Sequence, residues 1–74
     1  MPLYHFNLSD HIRDPDLEGT ELPDAEEARL QAIKFAGQFV SDNPARVDSD
    51  HDLQIEVTDH DGVFLFAVKV SVSD

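Results

Sequence analysis

Leu53-Gln54-Ile55-Glu56-Val57-Thr58-Asp59-His60-Asp61-Gly62-Val63-Phe64-Leu65-Phe66-Ala67-Val68-Lys69-Val70 is the stretch that decides the fold. Its first six residues alternate apolar and polar, the period of a strand with one buried face. Asp59-His60-Asp61-Gly62 is the strongest hairpin signal in the chain. Val63 to Val70 then reads as a strand with apolar residues on both faces. Residues opposed across an antiparallel pair project from the same face, so parity tests the register. A two-residue Asp61-Gly62 turn sets Val57 against Phe66, Ile55 against Val68 and Leu53 against Val70, and a four-residue loop keeps the same faces. One face therefore collects Leu53, Ile55, Val57, Phe64, Phe66, Val68 and Val70.

Something must cover that face, and the chain upstream supplies it. Asp24 can cap a helix, with Glu27 three residues on and an acidic first turn that suits the helix dipole. The helix is expected from Ala25 to Asp42, ended by Asn43-Pro44. At 100° per residue, Ala25, Ala28, Ala32, Phe35, Ala36 and Phe39 form one stripe, with Ile33 and Val40 on its flank. The alanines let the backbone approach a sheet, Leu30 falls on the far side as an exposed Leu, and Gly37 is read as a point of close contact. Asp48 to Asp52 is a charged loop.

Further out, Leu3-Tyr4-His5-Phe6-Asn7-Leu8 alternates with period two and adds Tyr4, Phe6 and Leu8 to the buried face. Ser9 to Asp16 reads as a loop, and Glu18 to Leu22 as a short strand returning beside the first. The expected fold is α+β: one helix on one face of a small three- to four-stranded, largely antiparallel sheet, in the order β-β-α-β-β. The opposite face collects His5, Asn7, Gln54, Glu56, Thr58 and Lys69, interrupted by Leu3, Val63, Leu65 and Ala67. One helix cannot cover both sides of a sheet. Those four apolar residues are therefore the candidate interface of a homodimer, formed through this face or through an adjacent edge strand.

The 74 residues suit a single domain over 1–74. Five Lys and Arg stand against sixteen Asp and Glu, a net charge of -11, while 41% apolar residues suffice for a core. Arg13, Arg29, Lys34, Arg46 and Lys69 are scattered, so no nucleic-acid partner is expected. An anionic membrane would repel the chain. No apolar run approaches the roughly 20 residues of a membrane span and no charged leader opens the chain, so cytoplasmic residence is expected. The absence of Cys excludes disulfides, thiolate metal sites and Cys nucleophiles.

Asp14-Pro15-Asp16-Leu17-Glu18-Gly19 carries carboxylates at positions 1, 3 and 5 and Gly at 6, the opening of a calcium loop. The twelfth position, which needs a bidentate Glu, falls on Ala25. Asp14, Asp16 and Glu18 are the candidate metal ligands, of weak affinity at most, set against a solvated acidic loop. Asp48, Asp50 and Asp52 repeat the alternation without the Gly. His5, His11, His51 and His60 have no partner at zinc-site helical spacing, and no Ser lies in a nucleophile motif. No catalytic residue and no cofactor is expected, and the chain is not read as an enzyme.

The opening Met1-Pro2-Leu3-Tyr4-His5-Phe6-Asn7-Leu8, the run Asp16-Leu17-Glu18-Gly19-Thr20-Glu21-Leu22-Pro23-Asp24 before an Ala-rich helix, and Ile55-Glu56-Val57-Thr58-Asp59 with Gly62 resemble a family of short uncharacterised bacterial proteins, a domain of unknown function. The resemblance implies no catalytic residue. A fainter similarity joins Asp24-Ala25-Glu26-Glu27-Ala28 to the helix opening of HicB-type antitoxins. The leading expectation is a non-enzymatic protein-interaction module. The alternatives are a divalent-cation-binding domain using the acidic loops and an antitoxin-like neutraliser of a basic protein partner.

Overall fold

A computed structural model describes residues 1–9 and 13–73, Arg13 and Asp14 through their backbone. The elements are β1 (Leu3–Ser9), β2 (Arg13–Asp14), β3 (Thr20–Glu21), α1 (Ala25–Asp42), β4 (Leu53–Asp59) and β5 (Phe64–Val70), with a 3-10 turn at Pro44–Arg46. The sheet order is β2-β1-β4-β5, and β3 pairs with β1 beside β2. Every pairing is antiparallel. The α+β fold with one helix is the one the sequence predicts, and Arg13–Asp14 adds a two-residue strand where a loop was expected.

Asp24 caps α1, its Oδ1 accepting the Glu27 N–H at 2.9 Å, so one of the unpaired amides of the first turn is satisfied. The far end closes on Asn43, whose backbone N–H and side-chain amide both donate to the Phe39 carbonyl. Ala28, Ala32 and Ala36 are buried, and their small side chains bring the helix close to the sheet. Phe35, Phe39 and Val40 pack at the margin of the core, while Ala25 and Ile33 are exposed. The buried stripe is thus narrower than the sequence pattern predicts.

Gly37 is no contact point. A methyl added there meets nothing within 4 Å, so this glycine only loosens the helix. Gly37→Ala is therefore expected to raise stability by about 0.5–1 kcal/mol, the helix-propensity difference. For a domain of this size that is roughly 2–8 °C in Tm, measurable by thermal circular dichroism.

The core lies between α1 and the middle of the sheet. Leu53, Ile55 and Val57 of β4 are fully buried, flanked by Tyr4, Phe6 and Leu8 of β1. Phe66, Val68 and Val70 on β5 are only partly buried, because the single helix cannot also close over the outermost strand.

The β4–β5 register contains a compensation that strict alternation does not anticipate. Gly62, at φ +82°, donates to the Asp59 carbonyl at 3.0 Å, and the Asp59 N–H donates to the Val63 carbonyl at 3.0 Å. Asp59 Oδ1 also accepts the N–H groups of Asp61 and Val63. The connection is therefore the three residues His60, Asp61 and Gly62, which shift the pairing by one, and Thr58 faces Phe64. A β-bulge at Leu65 absorbs the shift, and Val57 faces Phe66, Ile55 faces Val68 and Leu53 faces Val70, as parity predicts. Between loop and bulge the faces are exchanged. Phe64, expected in the core, instead shares the open face with Thr58 and is 57% exposed.

Candidate functional site

The acidic loop is tied to β1 through one residue. β2 pairs with Leu8 and Ser9, and β3 with Leu3 and Tyr4, which leaves the middle of that edge without a described strand. Asp16 fills the gap. Its Oδ2 accepts the Phe6 N–H at 3.1 Å, and its Oδ1 accepts Glu18 N–H at 3.2 Å and Gly19 N–H at 3.1 Å. The Asp16 N–H donates to Asn7 Oδ1 at 2.9 Å, and its carbonyl lies 2.8 Å from His5 Nδ1. Burial pushes the Asp16 carboxyl up, but the amides of Gly19, Phe6 and Glu18, with the charge of His5, outweigh it and hold the group below its ordinary range.

This accounts for one of the three candidate metal ligands. Both Asp16 oxygens face backbone N–H groups, Glu18 is exposed, and the side chain of Asp14 lies outside the described residues, as does His11. Among the described residues no group of three or more His, Asp or Glu stands close enough to hold a metal ion. Calcium and magnesium are accordingly expected to give equal Tm shifts at matched ionic strength. A calcium-selective shift abolished by Asp16→Asn would show a site. In the second acidic loop, the Asp48 carboxyl is also held low, first by the Asp50 N–H and then by His51, which lies 3.0 Å away in an exposed pair. His60 stands 3.5 Å from Asp61 at the hairpin tip.

An open groove of about 410 Å³ runs between α1 and β1, lined by Phe6, Leu8, Pro15, Asp16, Thr20, Gln31 and Phe35. Its one carboxylate is the Asp16 group already bound to the backbone, so it offers no free acid or base.

The other distinctive surface is the β5 margin. Phe64 and Ala67, opposite Thr58 and Glu56, lie on the open face, and Leu65, the bulge residue with no partner in the register, is 39% exposed. The other two candidate interface residues do not join them. Val63, across from Asp59, belongs to the helix side, and Leu3 is half-buried under Gly19, whose position for a Cβ lies 2.9 Å from Leu3 Cγ. The Asp-x-x-Gly spacing of a three-residue loop was the signal for Phe64, since an odd loop must exchange the faces beyond it.

The hydrogen-bonding direction of β5 follows from Asp16. In an antiparallel ladder a residue's N–H and C=O point to the same side. Phe6 turns its N–H toward Asp16 and away from β4, so Val57, opposite Phe6, directs its groups at Phe66. Ala67 and Lys69 therefore present theirs outward, at an edge that no described strand covers.

These features define a small α+β domain: an antiparallel sheet covered by one helix, with its second face and its last strand's edge left open. The chain belongs to a family described as a domain of unknown function, DUF6894, whose model matches residues 3–71. That match takes in the first of the three segments on which the sequence resemblance rests from Leu3 onward, and the other two whole. No curated protein and no solved structure matches the chain. Among the described residues, no helix is long and apolar enough to cross a membrane.

Proposed function

We propose that this domain is a non-enzymatic protein-interaction module that pairs with a partner along the edge of β5. The observation that carries the reading is a seven-residue edge strand, Phe64–Val70, with outward amides at Ala67 and Lys69 and apolar residues exposed on it. Such edges template strand addition unless charge, Pro, a bulge or a covering segment blunts them, and the bulge at Leu65 leaves Phe66 to Val70 as the regular run. Here Lys69 is the strand's one charged residue. The cation alternative has less support, because both Asp16 oxygens already accept backbone N–H groups.

Ala67→Pro tests the reading, because Pro removes an outward N–H and obstructs an incoming strand while the β4 ladder keeps its bonds. Tagged wild type and variant, matched for circular dichroism, are compared in capture from native extract. Loss of captured protein, whether a second copy or another chain, is the expected result. Identical capture by both would overturn the reading.

A further inference from the structure

Resting on the edge-strand reading, we propose that the occupant of the β5 edge is β5 of a second copy, paired antiparallel about a two-fold axis at Val68. The register follows from three constraints. Opposed residues must share a face, so the axis passes through a residue. The bulge at Leu65 breaks the ladder, which leaves Phe66 to Val70 as the regular run, and its centre is Val68. An axis at Lys69 would oppose two like charges.

With the axis at Val68, the outward groups of Ala67 meet those of Lys69 in the second copy, and the symmetric pair repeats the exchange. On the helix side Phe66 faces Val70 of the other copy and Val68 faces itself, covering residues that α1 leaves partly exposed. On the open side the charges are complementary. Glu56 stands opposite Ala67 within one chain, so Glu56, Ala67 and Lys69 of the second copy lie in one row across the joined sheet. Glu and Lys are long enough to meet over the intervening Ala, and symmetry supplies this pair twice. Lys69 lies 3.3 Å from Asp52 of its own chain, but that contact is solvent-exposed and weakly held. Two chains of net charge -11 repel over most approaches. Residues 62–73 contain no Asp or Glu and carry Lys69, so this edge is a place where they can meet.

The absence of Cys allows a direct register test. Val68 would form a non-hydrogen-bonded pair with itself, where Cα atoms lie about 4.5 Å apart, within disulfide range. Val68→Cys is expected to oxidise to a covalent dimer at high micromolar concentration, doubling the mass on a non-reducing gel. Val70→Cys, which the register places opposite Phe66, is expected to remain single. In light scattering the wild type should be dimeric, Lys69→Glu monomeric, and Glu56→Lys with Lys69→Glu dimeric again. A monomeric wild type, or cross-linking of Val70→Cys as fast as Val68→Cys, would overturn the self-pairing. In that event, capture of a different chain that Ala67→Pro abolishes leaves the interaction reading standing, and capture that ignores Ala67→Pro removes both.

Discussion

Asp16→Ala is expected to unfold this domain more readily than any substitution of an exposed residue. It strips the acceptor from the Phe6, Glu18 and Gly19 amides together, and the Phe6 N–H lies mid-strand at a part-buried edge where no other described strand reaches. Bonds to a charged acceptor are worth more than neutral ones, and an orphaned buried donor adds its desolvation cost, so the loss should be about 2–3 kcal/mol. A chain of this length has little stability to spare. The drop in Tm should be of the order of 10–20 °C. Asp16→Asn should cost less, because its one carbonyl oxygen can serve either Phe6 or the Glu18–Gly19 pair, while its amide donors face the remaining N–H groups.

The same residue sets an acid dependence. Folding holds the Asp16 carboxyl below its ordinary value of 3.8, so the unfolded chain takes up this proton first as pH falls. The stability it contributes is present above pH 3.8 and is lost as pH drops through the lower folded value. Asp48, exposed but also held low, acts in the same sense. General charge repulsion moves the other way, since protonating carboxylates reduces the net charge. The informative quantity is therefore the difference between wild type and Asp16→Ala in urea unfolding. It should be full at pH 7 and shrink below pH 4, and a constant difference would mean that the carboxylate charge is not what Phe6, Glu18 and Gly19 recognise.

Gly19→Ala should be the most damaging single-methyl addition. At φ +78° the backbone is left-handed, which costs an L-residue about 1–2 kcal/mol, and the new Cβ would sit 2.9 Å from Leu3 Cγ and 3.1 Å from His5 Cε1. The crowding comes from two side chains at once, Leu3 and His5, so relief requires both to give way. A total loss of about 2–4 kcal/mol is expected, from the dihedral cost plus overpacking. Chemical denaturation of Gly19→Ala beside Gly37→Ala makes the contrast. The same substitution should destabilise at a left-handed crowded glycine and stabilise at a helical open one.

Local chemistry wrote much of the fold into the chain. Asp24 and Asn43 bound α1 at the expected residues because caps act over three or four positions, and Leu53, Ile55 and Val57 are buried because period-two alternation needs no long-range information. The pairings of Val57 with Phe66, Ile55 with Val68 and Leu53 with Val70 were likewise fixed by parity. Tertiary structure decided what depends on residues far apart in the chain or on errors that cancel. A three-residue loop and a bulge compensate, so parity held beyond Leu65 while Phe64, between them, was turned to the open face. Asp16 looked like a calcium ligand in its own loop, and became a hydrogen-bond acceptor for the sheet once β1, ten residues earlier, lay beside it with an unpaired Phe6 amide. Gly37 looked like a contact and faces open space, because the width of the helix's buried stripe is set by the sheet it meets and not by its own sequence. The bareness of β5 has the same origin: one helix covers about the breadth of two strands, and the third is left partly exposed.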